Sequence, residues 1–539
     1  MPSMRAYRAV SLRDFSVDPV RLTWMCALAV LAGAAGAGLA WLLLSLIGFI
    51  TNVAYFGDFG HSLVAPDPRH WGAVSIAIPV AGALIVGLIA RFGSEKIRGH
   101  GIPEAIQSIL ERDSIIEARV AFFKPIASAI AIGTGSPFGA EGPIIMTGGA
   151  VGSLFAQFLH VSALERRTLL VAGASAGMAA TFGAPIASVL IAVELLLFEW
   201  RPQSFVPVAV AAFVAAALRV PLIGSSPPFL AGATLAHGLA VNPGWAVAVG
   251  LCGGVVSMVM TKLVYLTEDA YGQLRLHWMW WPAIGALVVG IGGWFVPAAL
   301  GVGYPAIDKM VNGEFAAGAV LGIIVVKIVI WVVSLSSGTS GGVLAPLLMI
   351  GAAMGTLLAQ YIPGHDAAVW AIVGMAALMG GTMRAPLMGT FFALETTHAW
   401  TLAPEVFAAC IAATTFTVVF VPRSILTEKL SRRGTHVSRE YAVHPLELIA
   451  VEDVMQPLKG ERPRYAIRTQ ARVRAAADEM ASTGARRLAV LDANGAWVGV
   501  IEADDLLRAW QKGKISKGRR RRVRRLRSVL RRIQRIGAW

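Results

Sequence analysis

A lone carboxylate at the start of an uncharged apolar segment constrains the fold of this chain more than any other sequence feature. The string Gly139-Ala140-Glu141-Gly142-Pro143 precedes an apolar segment, Ile144 to Leu159, that holds no charged residue. A charge near mid-bilayer costs about 2.5–3.5 kcal/mol, so it marks an ion or substrate path more often than packing. Glycines let backbone N–H groups approach a ligand, and a helix N-terminus attracts anions. The string therefore predicts an anion site that Glu141 itself can occupy.

The same element recurs about 200 residues later in the chain. The segment PIIMTGGAVGSLFAQ begins at Pro143, and PLLMIGAAMGTLLAQ begins at Pro346. A second pair follows, because Glu194 comes nine residues after the Ala184-Pro185 pair as Glu395 does after Ala385-Pro386. Repeats whose helices are broken by glycine and proline at matching places are typical of membrane transporters, with the site where the half-helix ends meet.

The composition is that of an integral membrane protein. Of 539 residues, 56% are hydrophobic and only 15% are charged, against about 25% charged residues in soluble domains. The first apolar run is too long for a signal-peptide core and follows several arginines, which predicts a retained helix and a cytoplasmic N-terminal segment, residues 1–21.

The three cysteines, Cys26, Cys252 and Cys410, lie in apolar runs without metal or redox spacing and are predicted to be packing residues. Runs long enough to cross a bilayer, or to cross it obliquely together with their neighbours, include Leu22–Ile50, Trp71–Ala90, Val206–Leu218, Trp245–Leu266, Ala316–Leu335 and Leu402–Val421, and another opens at His277.

The net charge of +15 is concentrated at the C-terminus. Residues 511–539 hold three Lys, ten Arg and no acid. Apolar residues at helical spacing among the arginines favour a basic amphipathic helix on anionic lipid over residues 512–539. A solvated tail is the alternative. A nucleic-acid partner is not expected, since no groove-reading or aromatic module accompanies the charge.

Three loops together resemble a known family. Gly99-His100-Gly101-Ile102-Pro103, then Gly139-Ala140-Glu141-Gly142-Pro143, then Gly342-Val343-Leu344-Ala345-Pro346 are similar, in order and spacing, to the signature loops of the CLC family of chloride channels and proton-coupled anion antiporters. The resemblance covers residues 22–437. It implies an all-α polytopic membrane protein, an inverted repeat of broken and tilted helices, and a homodimer with one pore per subunit. It also implies a transporter rather than an enzyme, without a metal, in which the three loops bind dehydrated anions and Glu141 is the gate.

The chain departs from the family pattern at three places. His100 stands where the family usually has a serine hydroxyl ligand, and Leu344 where it usually has phenylalanine. Leu426 stands where a tyrosine usually supplies the second hydroxyl ligand to the central anion. Either His100 donates an N–H to the anion, more strongly when protonated, or it turns toward solvent and the backbone alone binds. The expected anion is chloride, with fluoride or nitrate as alternatives.

The proton path implied by the family is altered as well. Glu194 matches the first of two adjacent glutamates in family antiporters, but the second is Leu195. Glu199 lies about one helical turn further and is the candidate substitute, or else it pairs with Arg201. Glu194 and Glu395 are alternatively interpreted as acceptors for buried backbone or loop donors. The leucine favours a channel or a weakly coupled transporter, with a proton-coupled antiporter as the alternative.

The C-terminal part reads as a small α/β domain. Residues 448–511 give a helix start, a helix at Ala475–Met480, a strand at Arg487–Leu491, a turn, a strand at Val498–Ile501 and a closing helix. The segment resembles one CBS module, which implies a cytoplasmic domain that docks or pairs with its twin. Adenine nucleotide is its candidate ligand, and no other cofactor is expected. High Ala, Gly and Arg usage suits a bacterial inner membrane, with both termini cytoplasmic.

Two other function classes are disfavoured. A membrane metalloprotease would need His-Glu-x-x-His on a helix, a string that the sequence lacks. A magnesium channel would need acidic rings along its path, whereas the acids of the apolar segments are few.

Overall fold

The computed structural model contains two compact units, Met1–Val437 and Ser438–Trp539. It describes residues 19–111, 114–159, 161–231, 243–315, 317–363, 366–432, 449–457, 463–469, 471, 473–492 and 495–508. The predicted basic tail, residues 512–539, and most of the N-terminal segment lie outside this range.

The first unit is a bundle of helices built twice from the same plan. The first half comprises α1 (Pro19–Thr51), α2 (Ala77–Phe92), α3 (Ile102–Glu111), α4 (Ala118–Gly133), α5 (Glu141–Gln157), α6 (Ala163–Phe182), α7 (Pro185–Ile191) and α8 (Pro202–Leu222). The second half comprises α9 (Pro243–Gly272), α10 (Trp281–Phe295), α11 (Tyr304–Val311), α12 (Ala317–Ser336), α13 (Leu344–Ala359), α14 (Ala367–Met383), α15 (Pro386–Thr397) and α16 (Ala403–Phe420), and α17 (Ile425–Arg432) follows.

The two halves pack alike, and α7 of one half lies against α15 of the other. Helix α5 packs on α6 as α13 packs on α14, and α1 packs on α8 as α9 packs on α16. The repeat is inverted. One cavity is lined by Val120, near the start of α4, and by Leu335, near the end of α12, whereas Ile132, at the end of α4, lines another. Helices α4 and α12 therefore run in opposite directions, as the predicted fold class requires.

Helix length and helix breakers explain which segments cross a membrane. Among the residues that the structure describes, seven helical segments are long and apolar enough to do so: Pro19–Phe56, Gly72–Phe92, Pro202–Leu222, Pro243–Gly272, Trp278–Phe295, Gly318–Ser336 and Trp400–Arg432. Each of them overlaps an apolar run recognised in the sequence. The helices between them are shorter. Helix α6 ends at left-handed Gly183, helix α14 ends at left-handed Arg384, and Pro185 and Pro386 then restart the chain as α7 and α15.

The second unit contains a three-stranded sheet. Strands β1 (Ala466–Arg468), β2 (Arg487–Leu491) and β3 (Trp497–Glu502) lie in that order, with β1 parallel and β3 antiparallel to β2, and α18 (Val473–Thr483) precedes β2. A small core closes around Val451, Leu488 and Ile501. The predicted helix, two strands and closing helical segment are present, the last at residues 503–508. The three-residue strand β1 was not predicted. The assignment of this unit to the CBS modules stays a prediction.

Candidate functional site

The Glu141 carboxylate caps a helix of the other repeat. Its Oε1 atom accepts hydrogen bonds from the backbone N–H of Leu344 at 2.5 Å and of Ala345 at 3.1 Å. These are the first residues of α13, whose N–H groups have no intrahelical partner and carry part of the helix dipole's positive charge. The residue has 0% exposure, and its Oε2 atom has no hydrogen-bond partner among the described residues. The carboxylate thus fills the position in which α13 would hold a free anion.

The structure brings the three predicted loops together around this carboxylate. Gly139 and Gly342 exchange backbone hydrogen bonds, with N–O distances of 3.4 and 2.9 Å. Gly142 lies so close to the His100 carbonyl that a side chain on it would collide, and its added Cβ would also be 3.0 Å from the Gly342 Cα atom. Glycine is required here because the backbones of the loops touch. The remaining loop residues assigned to the site, Ile102, Pro103, Ala140, Pro143, Val343 and Pro346, are buried with them.

Hydrogen bonds from its backbone N–H groups hold the first loop, Gly99–Pro103, in place, and the histidine of this loop is buried. The Gly99 N–H donates to the Gly338 carbonyl at 3.2 Å, and the Gly101 N–H donates to Glu104 Oε2 at 2.9 Å. His100 is 3% exposed. The alternative in which His100 turns toward solvent is therefore wrong, because the loop is pressed against the start of α5. Its role as an anion ligand stays a prediction.

Two buried lysines, which the sequence analysis missed, hold the backbone on either side of the site. Lys124 on α4 donates to the carbonyls of Ile97 at 2.8 Å and Gly99 at 2.6 Å. Lys327 on α12 donates to the carbonyls of Ala299 and Gly301, both at 2.9 Å. Lys124 and Lys327 are 1% and 0% exposed. They are 203 positions apart, as Pro143 and Pro346 are, so a lone lysine at matching places in both repeats was the available signal.

The carbonyls that Lys327 holds belong to a fourth loop, which was also missed. Gly301-Val302-Gly303-Tyr304-Pro305 repeats the Gly-x-Gly-x-Pro pattern of Gly99–Pro103. The first and third residues of both loops have positive φ, from 58° to 93°, a conformation that glycine adopts without strain. Each loop packs on a matching methionine, Met146 or Met349. The second repeat thus presents a matching helix N-terminus, that of α11.

Glu194 and Glu395 cap helices of opposite repeats reciprocally. Glu194 accepts from the N–H groups of Leu387 at 3.3 Å and Met388 at 2.8 Å, in the first turn of α15. Glu395 accepts from Ile186 at 3.0 Å and Ala187 at 2.8 Å, in the first turn of α7. Both are buried. This geometry agrees with the interpretation that both glutamates accept hydrogen bonds from buried backbone donors. The two reciprocal caps also join the two repeats.

Replacing Glu395 by glutamine should destabilise the protein. The change leaves the N–H groups of Ile186 and Ala187 competing for one neutral oxygen, where each now has a charged acceptor. Hydrogen bonds to charged groups contribute about 1.5–3 kcal/mol, so we expect a loss of about 2 kcal/mol or more. Thermal unfolding in detergent would measure it. The control is Glu314→Gln, because Glu314 is exposed between α11 and α12; equal midpoints for both variants would contradict the capping role.

Within the described residues, Leu195 and not a second carboxylate follows Glu194. The neighbouring Leu195 is buried within a π-helical turn, Ala192–Leu197, that ends at left-handed Phe198. Glu199 follows that break, accepts from the Ser204 hydroxyl at 2.9 Å and lies 3.6 Å from the Arg201 guanidinium. The alternative pairing of Glu199 with Arg201 is thus seen in the structure, and its service as a proton relay stays a prediction.

Leu426 occupies the first turn of α17 and is fully buried. Helix α17 packs against α3, and its Lys429 ammonium lies 3.5 Å from Glu104 Oε1. The preceding carbonyl, of Ile425, accepts the Tyr265 hydroxyl. The prediction that Leu426 stands at the family's tyrosine position stays a prediction, and this buried leucine contributes no hydroxyl.

Two cavities approach the crossing of the repeats from opposite ends of α4. The larger, about 620 Å³, is lined by Val120, Glu104 and Lys429 among others. The smaller, about 390 Å³, is lined by Ile132 and by the Gly301–Pro305 loop. Val120 and Ile132 are twelve residues apart, which is about 18 Å along a helix. Within the described ranges, no group of three or more His, Cys, Asp or Glu is placed to hold a metal ion.

Comparisons with known proteins agree with this architecture. The family model described as "Voltage gated chloride channel" matches residues 81–418, more than half of the chain. The H(+)/Cl(-) exchange transporter ClcA of Salmonella paratyphi A is 32% identical over 347 residues, 61% of this chain and 72% of that protein.

Solved structures show the same fold at lower identity. A slow cyanobacterial Cl⁻/H⁺ antiporter is similar with a TM-score of 0.68 and 21% identity, over 78% of this chain and 99% of that one. A CLC-type fluoride/proton antiporter gives a TM-score of 0.65 and 19% identity, over 76% and 98%. With a family model that covers more than half of its length and loops that meet at Glu141, this chain belongs to the voltage-gated chloride channel (CLC) family of membrane transport proteins.

Proposed function

We propose that this protein carries small inorganic anions, with chloride as the first candidate, across a bacterial inner membrane, and that Glu141 gates the path. The observation that supports this most directly is the Glu141 carboxylate on the N–H groups of Leu344 and Ala345. A carboxylate there is a tethered anion in an anion site. A free anion can take the site only when this carboxylate leaves it.

Protonation or competition would open the gate. Protonation removes the charge that holds Glu141 at the positive end of α13, and a high anion concentration competes for the same two donors. An anion arriving from either cavity would have shed part of its hydration shell. The buried ammonium groups of Lys124 and Lys327, on either side of the site, would then offset some of that cost.

Selectivity would come mainly from backbone donors. The side chains at the positions of the family's hydroxyl ligands are His100 and Leu426, of which only the imidazole can donate. Because His100 and Leu426 stand at the positions of the family's hydroxyl ligands, fluoride or nitrate is the alternative to chloride. Lithium, sodium or magnesium flux is not expected, because the path presents helix N-termini rather than acidic rings.

Proton-coupled exchange is a second candidate function, and the relatives favour it. Those at 31–32% identity are named as H(+)/Cl(-) exchange transporters. Against tight coupling stands Leu195, which gives this chain no acid beside Glu194. Coupling would then need Glu199 or water as the inner relay, and a channel or weakly coupled transporter would need neither.

One flux experiment separates these functions. Proteoliposomes loaded with chloride would receive an imposed proton gradient while a chloride electrode and a pH electrode record together. Linked, uphill chloride movement supports the exchanger, and downhill chloride loss without linked proton movement supports the channel. If neither chloride, fluoride nor nitrate moves, with or without linked proton movement, the result contradicts the proposal, provided that the same protein sample is monodisperse and folded.

Three further proposals concern assembly and regulation. The protein would form a homodimer with one path per subunit, and both termini would face the cytoplasm. Residues 448–511 would dock or pair with their twin, with adenine nucleotide as the candidate ligand. The basic tail, outside the described residues, would bind anionic lipid.

A further inference from the structure

The Tyr304 hydroxyl is a buried donor without a partner, next to the gate. Its oxygen is inaccessible and makes no hydrogen bond among the described residues. The ring is held edge-on by Phe182, with centroids 6.2 Å apart, and by Phe229, at 5.4 Å. Buried hydroxyl groups normally find a partner, because leaving one unpaired costs about 1–3 kcal/mol. The Tyr304 hydroxyl, on a ring held by two others and without a partner among the described residues, is therefore a candidate ligand-binding group.

The surroundings of this hydroxyl favour an anion as that ligand. Tyr304 opens α11, whose N-terminus has no side-chain cap at Gly303. In the matching first loop, the Gly101 N–H is already taken by Glu104, whereas the residue that matches Glu104 in the fourth loop is Ala306. The Lys327 ammonium lies 3.6 Å from the point that a Cβ atom on Gly303 would occupy. The buried Lys327 ammonium therefore lies next to the uncapped start of α11, and Tyr304 is the first residue of that helix.

Tyr304 also stands between the smaller cavity and Glu141. Gly303, Tyr304 and Pro305 line the cavity, while the tyrosine hydroxyl is buried and in electrostatic range of the Glu141 carboxylate. The Oε2 atom of that carboxylate is itself unpartnered among the described residues. Asp308 lines the cavity too, with its carboxylate near the Asn312 amide at 3.5 Å. The same residue therefore borders the cavity and lies near the Glu141 carboxylate.

We propose that the Tyr304 hydroxyl, the N-terminus of α11 and Lys327 form an outer binding site for a small monovalent anion such as chloride. The site supplies a hydroxyl ligand in a chain that lacks the two hydroxyl ligands at His100 and Leu426. It rests on the proposed function, because its ligand is the transported anion. The anion would wait there until Glu141 leaves α13.

Calorimetric titration of chloride into the purified full chain tests this site, since it measures binding whether or not the protein carries flux. Four proteins are compared: wild type, Tyr304→Phe, Glu141→Gln and the double variant. Removing the hydroxyl should weaken chloride affinity by about tenfold in both backgrounds, which corresponds to about 1.4 kcal/mol. The matched control is Tyr361→Phe, because Tyr361 is 72% exposed, and its affinity should not change.

Two results would overturn the site. Unchanged affinity in Tyr304→Phe would show that the hydroxyl binds no anion. A loss seen only while Glu141 carries its carboxylate would show that the hydroxyl serves the gate and not a free anion. Thermal unfolding of each variant accompanies the titration, and removal of an unpaired hydroxyl should leave the midpoint equal or higher, so a weaker affinity could not be ascribed to unfolding. Flux that is absent in wild type with chloride binding intact would count against the proposed function alone.

Discussion

Replacing Glu141 by glutamine should leave anion flux running at neutral pH and remove most of its dependence on pH. Glutamine has nearly the shape of a protonated glutamate but never carries its charge, so it cannot compete for the N–H groups of Leu344 and Ala345 as an anion does. In wild type, flux should rise as pH falls, because only the protonated or displaced carboxyl opens the site. Above the carboxyl pKa, the protonated fraction rises about tenfold per pH unit lost.

Chloride efflux from proteoliposomes between about pH 7.5 and 4.5 measures this difference. Wild type should change by roughly one to two orders of magnitude, and Glu141→Gln by less than about twofold, as the tenfold-per-unit protonation of a carboxyl sets the scale. Glu314→Gln is the control, since Glu314 is exposed and makes no hydrogen bond to the Leu344 or Ala345 N–H groups. A closed Glu141→Gln variant, or one as pH-dependent as wild type, would contradict the gate. A magnesium current abolished by the same change would indicate a cation path instead.

Replacing Lys327 by methionine should weaken both anion binding and the fold. The two carbonyls that it holds, of Ala299 and Gly301, would lose their donor, at about 1–3 kcal/mol for each buried group left unpaired. Lys327 also interacts electrostatically with Glu141. Opposite charges attract by up to a few kcal/mol at an effective dielectric constant of about 20, and about 1.4 kcal/mol corresponds to a tenfold change in affinity. Because an anion on α13 takes the place of that carboxylate, we expect its affinity to fall about tenfold or more.

The control for this substitution is Lys309→Met, which removes an exposed lysine from α11. Chloride affinity by calorimetry and unfolding midpoint in detergent are measured together. A Lys327→Met protein with wild-type affinity and a wild-type midpoint would show that the buried ammonium supports neither the loop nor the anion. Lys124→Met, its repeat mate, should destabilise the protein by a similar amount, through the carbonyls of Ile97 and Gly99.

The core of the site could be predicted because glycine, proline and one acidic residue determine its chemistry. Glu141 stands alone before an uncharged run, and glycines flank it where backbones must touch. The repeat could be read from the two fifteen-residue strings, whereas its inversion was implied only by the family resemblance. That Glu141 would reach α13 rather than its own helix could be known only from the fold, since its partners are 203 and 204 positions away.

What was missed has physical reasons as well. Lys327 lies within the run Ala316–Leu335, whose apolar character one lysine hardly changes, and Lys124 lies outside the runs recognised in the sequence. The Gly301–Pro305 loop lacks the family's signature residues, although its Gly-x-Gly-x-Pro pattern was legible. The reciprocal capping by Glu194 and Glu395 depends on α7 lying against α15, a tertiary contact that no local pattern reveals. The burial of His100 follows likewise from the packing of its loop on Gly142.

Bromide anomalous diffraction from crystals of the Glu141→Gln protein tests the central claim most directly, because it locates the anion rather than its flux. We expect a bromide peak within about 3.5 Å of the backbone nitrogens of Leu344 and Ala345, at hydrogen-bond distance for a large anion, and no such peak in wild type at neutral pH. Bromide absent from the start of α13 in the variant, with the substituted glutamine side chain still seated on the same two N–H groups, would contradict it.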